Sequence, residues 1–156
     1  MGRNGWLLVA VERGVTMMGM EEDFELQAPA VVFPGQRDPS SAYRVAYDLL
    51  ERRAANEALE VIEPALEAEP DNTGLRVLRA WAFLIRVQLE RAEAELVRLA
   101  DERPDDDWVR FALGRSLERQ SKYAEALPHL RLAAAMSGDP EHELAVLRVE
   151  RLYAGY

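Results

Sequence analysis

From residue 39 to residue 140, apolar, small and chain-breaking positions recur in a register of 34 residues. Ala58, Ala92 and Ala126 mark it. Twelve residues before each stands a small residue (Ala46, Ala80, Gly114), and four after each stands a large aliphatic one (Ile62, Leu96, Leu130). Twelve residues after the first two come Pro70 and Pro104; the third has Gly138, with Pro140 two further on. A period of this length holds one supersecondary unit that buries its apolar face only by stacking on its neighbours. Each period therefore predicts two antiparallel helices. The small residues belong where the two cross closely, the aliphatic residue fills the space between pairs, and Pro or Gly ends the second helix.

Polar clusters precede the first helix of each pair: Asp38-Pro39-Ser40, Asp71-Asn72-Thr73 and Asp105-Asp106-Asp107. Their side chains accept from N–H groups that the first helical turn leaves without partners, and Pro39 suits a turn where no N–H is needed. Pro128 falls near the start of its helix and is tolerated there, whereas Pro64 lies deeper and predicts a kink. Beyond Pro140, Glu141–Tyr153 carries Leu144, Leu147 and Leu152 with charges between them. That pattern predicts an amphipathic helix covering the open end of the stack. Residues 20–37 hold two prolines and a glycine without helical periodicity and read as extended. The expected organisation is an N-terminal extension (1–19), an extended acidic and apolar segment (20–38), three repeats (39–72, 73–106, 107–140) and a capping helix (141–156). Two readings of 1–19 stand side by side: native chain, or an upstream stretch before a start at Met20. Its apolar run, Trp6–Val11, is shorter than the core of a signal peptide and far too short to span a bilayer.

The third period is the most regular, with Leu113-Gly114 followed by Gln120-Ser121-Lys122-Tyr123-Ala124-Glu125-Ala126. A Leu-Gly pair, an aromatic, an alanine and a later proline at this period resemble the tetratricopeptide repeat family, over roughly Pro39–Pro140. The resemblance implies an all-α fold: a right-handed α-solenoid of three helix-turn-helix pairs plus a C-terminal capping helix. Arg79 stands where the family has the Leu of Leu-Gly, so the second repeat's first helix is either rotated or paired with nearby glutamates. In this family the first helix of each pair lines a concave groove. The groove residues implied are Tyr43 and Tyr47 from repeat one, Val77, Trp81 and Leu84 from repeat two, and Trp108, Phe111, Arg115 and Arg119 from repeat three. For Trp81 and Phe111, packing between repeats is an equal alternative. Some relatives hold a C-terminal carboxylate of chaperone tails with a Lys/Asn clamp; the corresponding places here carry Tyr43, Tyr47, Val77, Phe111 and Arg115, so that clamp is absent.

Composition narrows the chemistry. The chain has 28 acidic and 19 basic residues for a net charge of −9, which disfavours a nucleic-acid partner because phosphate contacts need a basic face. Cysteine is absent, which removes disulfides, thiolate metal sites and a Cys nucleophile and is compatible with a cytoplasmic location. His129 and His142 are too far apart for a metal motif, and His129 reads as a structural or surface residue. With no nucleophile elbow, phosphate-binding Gly loop or histidine pair, no enzyme activity and no cofactor are expected.

Charge is uneven along the repeats. Thr73–Arg86 carries Arg76, Arg79 and Arg86 without an acid, and Trp108–Arg119 carries three Arg against Glu118. An aromatic, arginine-lined groove favours a ligand with carboxylates and apolar anchors. The expected function is a protein–protein interaction module, an adaptor or scaffold that captures a peptide segment in that groove. The alternative is a self-assembly unit, a homodimer or larger homo-oligomer using the same face. The chain also holds a candidate ligand of its own: Glu21-Glu22-Asp23-Phe24-Glu25-Leu26 followed by Ala30-Val31-Val32-Phe33, within segment 20–35.

Overall fold

The computed structural model describes residues 26–29 and 41–155. The extension over 1–19, the remainder of segment 20–38 and the start signal at Asp38-Pro39-Ser40 lie outside the described residues. Seven helices follow one another among the described residues: α1 (Ala42–Glu51), α2 (Ala55–Ala68), α3 (Thr73–Ile85), α4 (Leu89–Glu102), α5 (Asp107–Arg119), α6 (Tyr123–Ser137) and α7 (Pro140–Tyr153). Each packs on the next, and the first helices of successive pairs also meet, α1 against α3 and α3 against α5. The described residues form an all-α solenoid of helix-turn-helix repeats.

Local chemistry explains the helix starts. Asn72 and Asp106 each accept the N–H three residues on, from Leu75 and Val109, as the polar clusters predict. The first pair differs in detail, because Ser41 is its cap and accepts from the Arg44 N–H. The second helices start with no side-chain cap. Their entry is set one residue earlier by a left-handed turn at Arg53, Val87 and Ser121, with φ of 61°, 57° and 61°. At each turn the N–H of the following residue reaches back to close the preceding helix: Ala54 to Leu49, Gln88 to Phe83 and Lys122 to Leu117. These are the six-to-one bonds of a Schellman ending, repeated in the 34-residue register without any glycine.

The register residues sit where their sizes require. Ala46, Ala80, Ala58, Ala92 and Ala126 are fully buried, as are Ile62, Leu96 and Leu130. A Cβ at Gly114 would stand 2.5 Å from Leu130 Cδ2, so the third crossing is tighter than the alanine-bearing ones. Pro64 lies within α2, whose helical assignment runs unbroken past it; its exposed position leaves the freed carbonyl one turn back beside solvent.

Two apolar clusters form the core. One gathers Tyr43, Tyr47, Leu50, Ile62, Leu78 and Trp81 from the first pair and α3. The other gathers Leu84 from α3 and Leu96, Leu99, Leu113, Leu130 and Val149 from the helices after it, with Leu26. Phe83 and Trp108 border both. The last helix packs on the end of the stack as the sequence predicts, but through residues other than its leucines. α7 buries His142, Ala145 and Val149, while Leu144 and Leu147 are 62% and 58% exposed. It packs on α6 through its smaller residues and turns the leucine stripe outward.

Arg79 is paired rather than orphaned. It reaches Glu95 at 3.2 Å and Glu63 at 3.6 Å, and Arg76 meets Glu95 at 3.1 Å and Glu102 at 2.6 Å. Glu95 is buried, so its charge is held by two guanidinium groups from the neighbouring helix.

Candidate functional site

The first helices of the three pairs bring most of the sequence-predicted groove residues to two places. Tyr43, Tyr47 and Trp81 form a run of rings, with centroids 5.9 Å apart for the tyrosines and 5.8 Å from Tyr47 to Trp81, the latter edge-to-face. Such contacts add about 0.5–1.5 kcal/mol beyond burial alone. Burial pushes the Tyr43 hydroxyl up to about 12, helped by neighbouring Tyr47. Burial, then Glu51, also raises Tyr47. Both phenols stay protonated and available as donors.

Val77, Phe111 and Trp108 form the second place, and a histidine joins them. Phe111 stacks on His142 of α7 with ring centroids 3.9 Å apart and planes 20° from parallel. His142 Nδ1 lies 2.7 Å from Ser137 Oγ, which fixes the ring. Sequence reasoning weighed His142 only as a metal ligand, because its place on α7 opposite Phe111 is a tertiary fact. Among the described residues no group of His, Asp or Glu is arranged to hold a metal ion.

Tyr43, Tyr47, Val77, Trp81 and Phe111 are themselves only 5–8% exposed, and two further members of the sequence-predicted set, Leu84 and Arg115, differ more. Leu84 is 2% exposed inside the core beside Ala80 and Leu96, so it cannot line a groove. Arg115 is buried and its guanidinium engages Glu118. Glu118 in turn takes Arg148 of α7 at 2.6 Å. Burial alone would push the Glu118 carboxyl up, but hydrogen bonding from Arg148 and the charge of Arg115 hold it below its ordinary value. With Arg76 and Arg79 paired as well, much of the basic character read along α3 and α5 is neutralised within the fold. Arg119 is half-buried. His129 is also half-buried, against Arg110, and burial followed by that positive neighbour lowers its basicity.

The short segment Leu26–Pro29 lies against both places. The Trp108 indole N–H donates to the Gln27 carbonyl at 2.6 Å, and the Tyr47 hydroxyl donates to the Pro29 carbonyl at 3.0 Å. The two acceptors are two residues apart, the spacing at which groups along an extended backbone face the same way. Pro29 favours that geometry by steering Ala28 out of the helical region. Leu26 is buried in the second core cluster, and Ala28 packs against the first. The segment thus ties α1 to α5 across the site.

No helix among the described residues is long and apolar enough to cross a membrane. A comparison with curated proteins returns no match. The solved structure MamA AMB-1 resembles this chain with a TM-score of 0.65 and 19% sequence identity, over 80% of this chain and 68% of that one. That likeness speaks to the fold. The sequence profile of the tetratricopeptide repeat family matches residues 49–113, from the end of α1 into α5. With the stacked helix pairs and their 34-residue register, this stretch is similar to tetratricopeptide repeats.

Proposed function

We propose that this chain is a peptide-capturing adaptor or scaffold whose site is the aromatic face formed by Tyr43, Tyr47, Trp81, Trp108 and Phe111. Tetratricopeptide repeats are protein–protein interaction modules; the finer reading is that the ligand is an extended segment. The observation that carries it is the pair of hydrogen bonds from Trp108 and Tyr47 to backbone carbonyls two residues apart. Side chains that donate to main-chain carbonyls bind a peptide as a peptide, and neighbouring apolar pockets then choose its side chains. On this reading segment 20–35 is an occupant of the site, in cis or from a second copy. Arginine contributes less than the sequence suggests, since Arg76, Arg79 and Arg115 already hold carboxylates of the fold.

An affinity pull-down comparing wild type with a Tyr47→Phe, Trp108→Phe double variant tests the reading. Tyr47→Phe removes only the hydroxyl, and Trp108→Phe removes the indole N–H together with one of its two fused rings while leaving an aromatic ring in place. Wild type should recover partners that the variant loses or holds several-fold more weakly, at roughly 1 kcal/mol per hydrogen bond. Equal recovery by both baits would sink the assignment. Light scattering on the same samples separates capture in trans from self-assembly: an oligomer that dissociates in the double variant would favour the homo-oligomer reading.

A further inference from the structure

α5 and α7 can be laid over one another from their capping residues, Asp106 and Asp139. Three, six and ten residues after the cap come Val109, Ala112 and Ser116 in α5, and His142, Ala145 and Val149 in α7. All six are buried. In α5 this face meets the preceding pair, where the Ser116 hydroxyl donates to the Leu89 carbonyl of α4. In α7 it meets α6. Five, eight and twelve residues after the cap come Phe111, Gly114 and Glu118 in α5, and Leu144, Leu147 and Arg151 in α7. On α5 these are buried, and Leu130 of its own second helix comes up against Gly114. On α7 they are exposed, Leu144 by 62% and Leu147 by 58%. α7 also ends as a first helix does. Gly155 has φ 87° in the register of Arg53, Val87 and Ser121, and its N–H reaches the carbonyl three residues back, as theirs do. Among the described residues, α7 is thus the first helix of a fourth pair with the place of its second helix open. The outer face of a terminal helix in such a stack is ordinarily polar; this one carries leucines.

We propose that the open place is taken by α7 of a second copy of this chain, lying antiparallel across a two-fold axis at Leu147. The direction fits. A second helix runs antiparallel to its first, and a two-fold axis normal to a helix sets it antiparallel to its own copy. Side-chain size favours a copy over a helix of the usual repeat pattern. Gly114 at the α5 crossing admits Leu130 closely, whereas Leu147 in the same place holds an incoming helix at the wider spacing that facing leucines set. Charge fits as well. The axis at Leu147 sets the residues four before and four after it opposite one another, so exposed Glu143 and Arg151 meet Arg151 and Glu143 of the second copy. Glu150 beside them already holds Arg131 at 2.8 Å. Leu144 then lies against Leu147 and the aliphatic stem of Arg151 of the second copy. The stripe is balanced in charge, which suits it to a second copy even in a chain of net −9. Two leucines per copy make a small interface, so the pair separates on dilution and each copy keeps its fold. The contact uses none of the groove residues Tyr47, Trp81 and Trp108, so it is distinct from self-assembly through the aromatic face.

Sedimentation equilibrium of the full-length chain is the test. Wild type should dimerise reversibly. Arg151→Glu and Glu143→Arg should each weaken the dimer by on the order of ten-fold, because symmetry turns two attractions into two repulsions at once. Both positions are exposed, so circular dichroism should stay unchanged. The two single variants, mixed, should dimerise with one another as wild type does, and so should the Glu143→Arg, Arg151→Glu double variant by itself. Wild type that remains monomeric up to ~100 µM overturns the proposal, whether the leucines are then bare or covered by the chain's own Trp6–Val11. So does a dimer that neither reversal weakens, or one that mixing does not restore. A dimer lost in the Tyr47→Phe, Trp108→Phe variant would assign self-assembly to the aromatic face and overturn it too.

Discussion

Val87 is the residue most at odds with its backbone. A β-branched side chain at φ 57° crowds the adjacent carbonyls, and left-handed geometry costs an L-residue roughly 1–2 kcal/mol. It persists because the Gln88 N–H to Phe83 carbonyl bond and the α4 that follows fix the turn. Val87 is 53% exposed, so little packing offsets the strain. Val87→Asn should therefore stabilise the fold by about 1 kcal/mol, measurable as a higher urea midpoint with an unchanged slope; a lower midpoint would contradict the strain argument. Glu118 sets a pH response at the same scale. Its carboxyl is held below its ordinary value in the folded state, so it binds a proton less readily folded than unfolded. Its contribution is complete above the ordinary carboxylate range near 4.3 and is lost as pH falls below it. Glu118→Gln should lose less stability than wild type between pH 7 and pH 3, tested by denaturant unfolding at both values. At this scale much was legible in the sequence. The small, aliphatic and breaker positions were readable because helix crossings and ends constrain single residues by size. The left-handed turns were not, because Arg53, Val87 and Ser121 lack the glycine that usually announces them and only backbone bonds reveal them.

Element by element, the 34-residue period located both helices of each pair, and the caps at Asn72 and Asp106 followed from side-chain chemistry. The last helix was harder. Leu144 and Leu147 form a stripe of the kind that normally faces a core, yet α6 is covered by Ala145 and Val149 instead. A hydrophobic stripe tells which residues share a face but not which face meets the neighbour; on α7 the choice falls to close packing. Leu144→Gln combined with Leu147→Gln should accordingly change stability by less than about 1 kcal/mol, as surface substitutions do. Thermal unfolding at high dilution checks this, and a loss of several kcal/mol would mean that the leucines themselves pack against the stack. The candidate site was half legible for a related reason. Aromatic positions on the first helices could be read by spacing, but burial of Leu84, pairing of Arg115 with Glu118 and stacking of His142 on Phe111 depend on other elements. Sequence spacing assigns a side chain to a face, and only its neighbours decide whether that face is open.

At the level of the whole molecule, stacked helix pairs interact chiefly with their nearest neighbours, so such proteins behave almost as one-dimensional arrays. The two core clusters fit that description, meeting at Phe83 and Trp108. Leu26–Pro29 does not. It touches the second cluster through Leu26, the first through Ala28, α5 through Gln27 and α1 through Pro29. Four residues thus form a shortcut between units that otherwise meet through α3 and Trp108 of α5. In an array with nearest-neighbour coupling the ends fray independently; a shortcut makes them open together. If the site captures peptides as proposed, the segment links its occupancy to the cooperativity of the fold. A molecule whose segment is held is a single unfolding unit, and one whose segment is displaced gains local opening at its first repeat unless the incoming peptide rebuilds the same bridge.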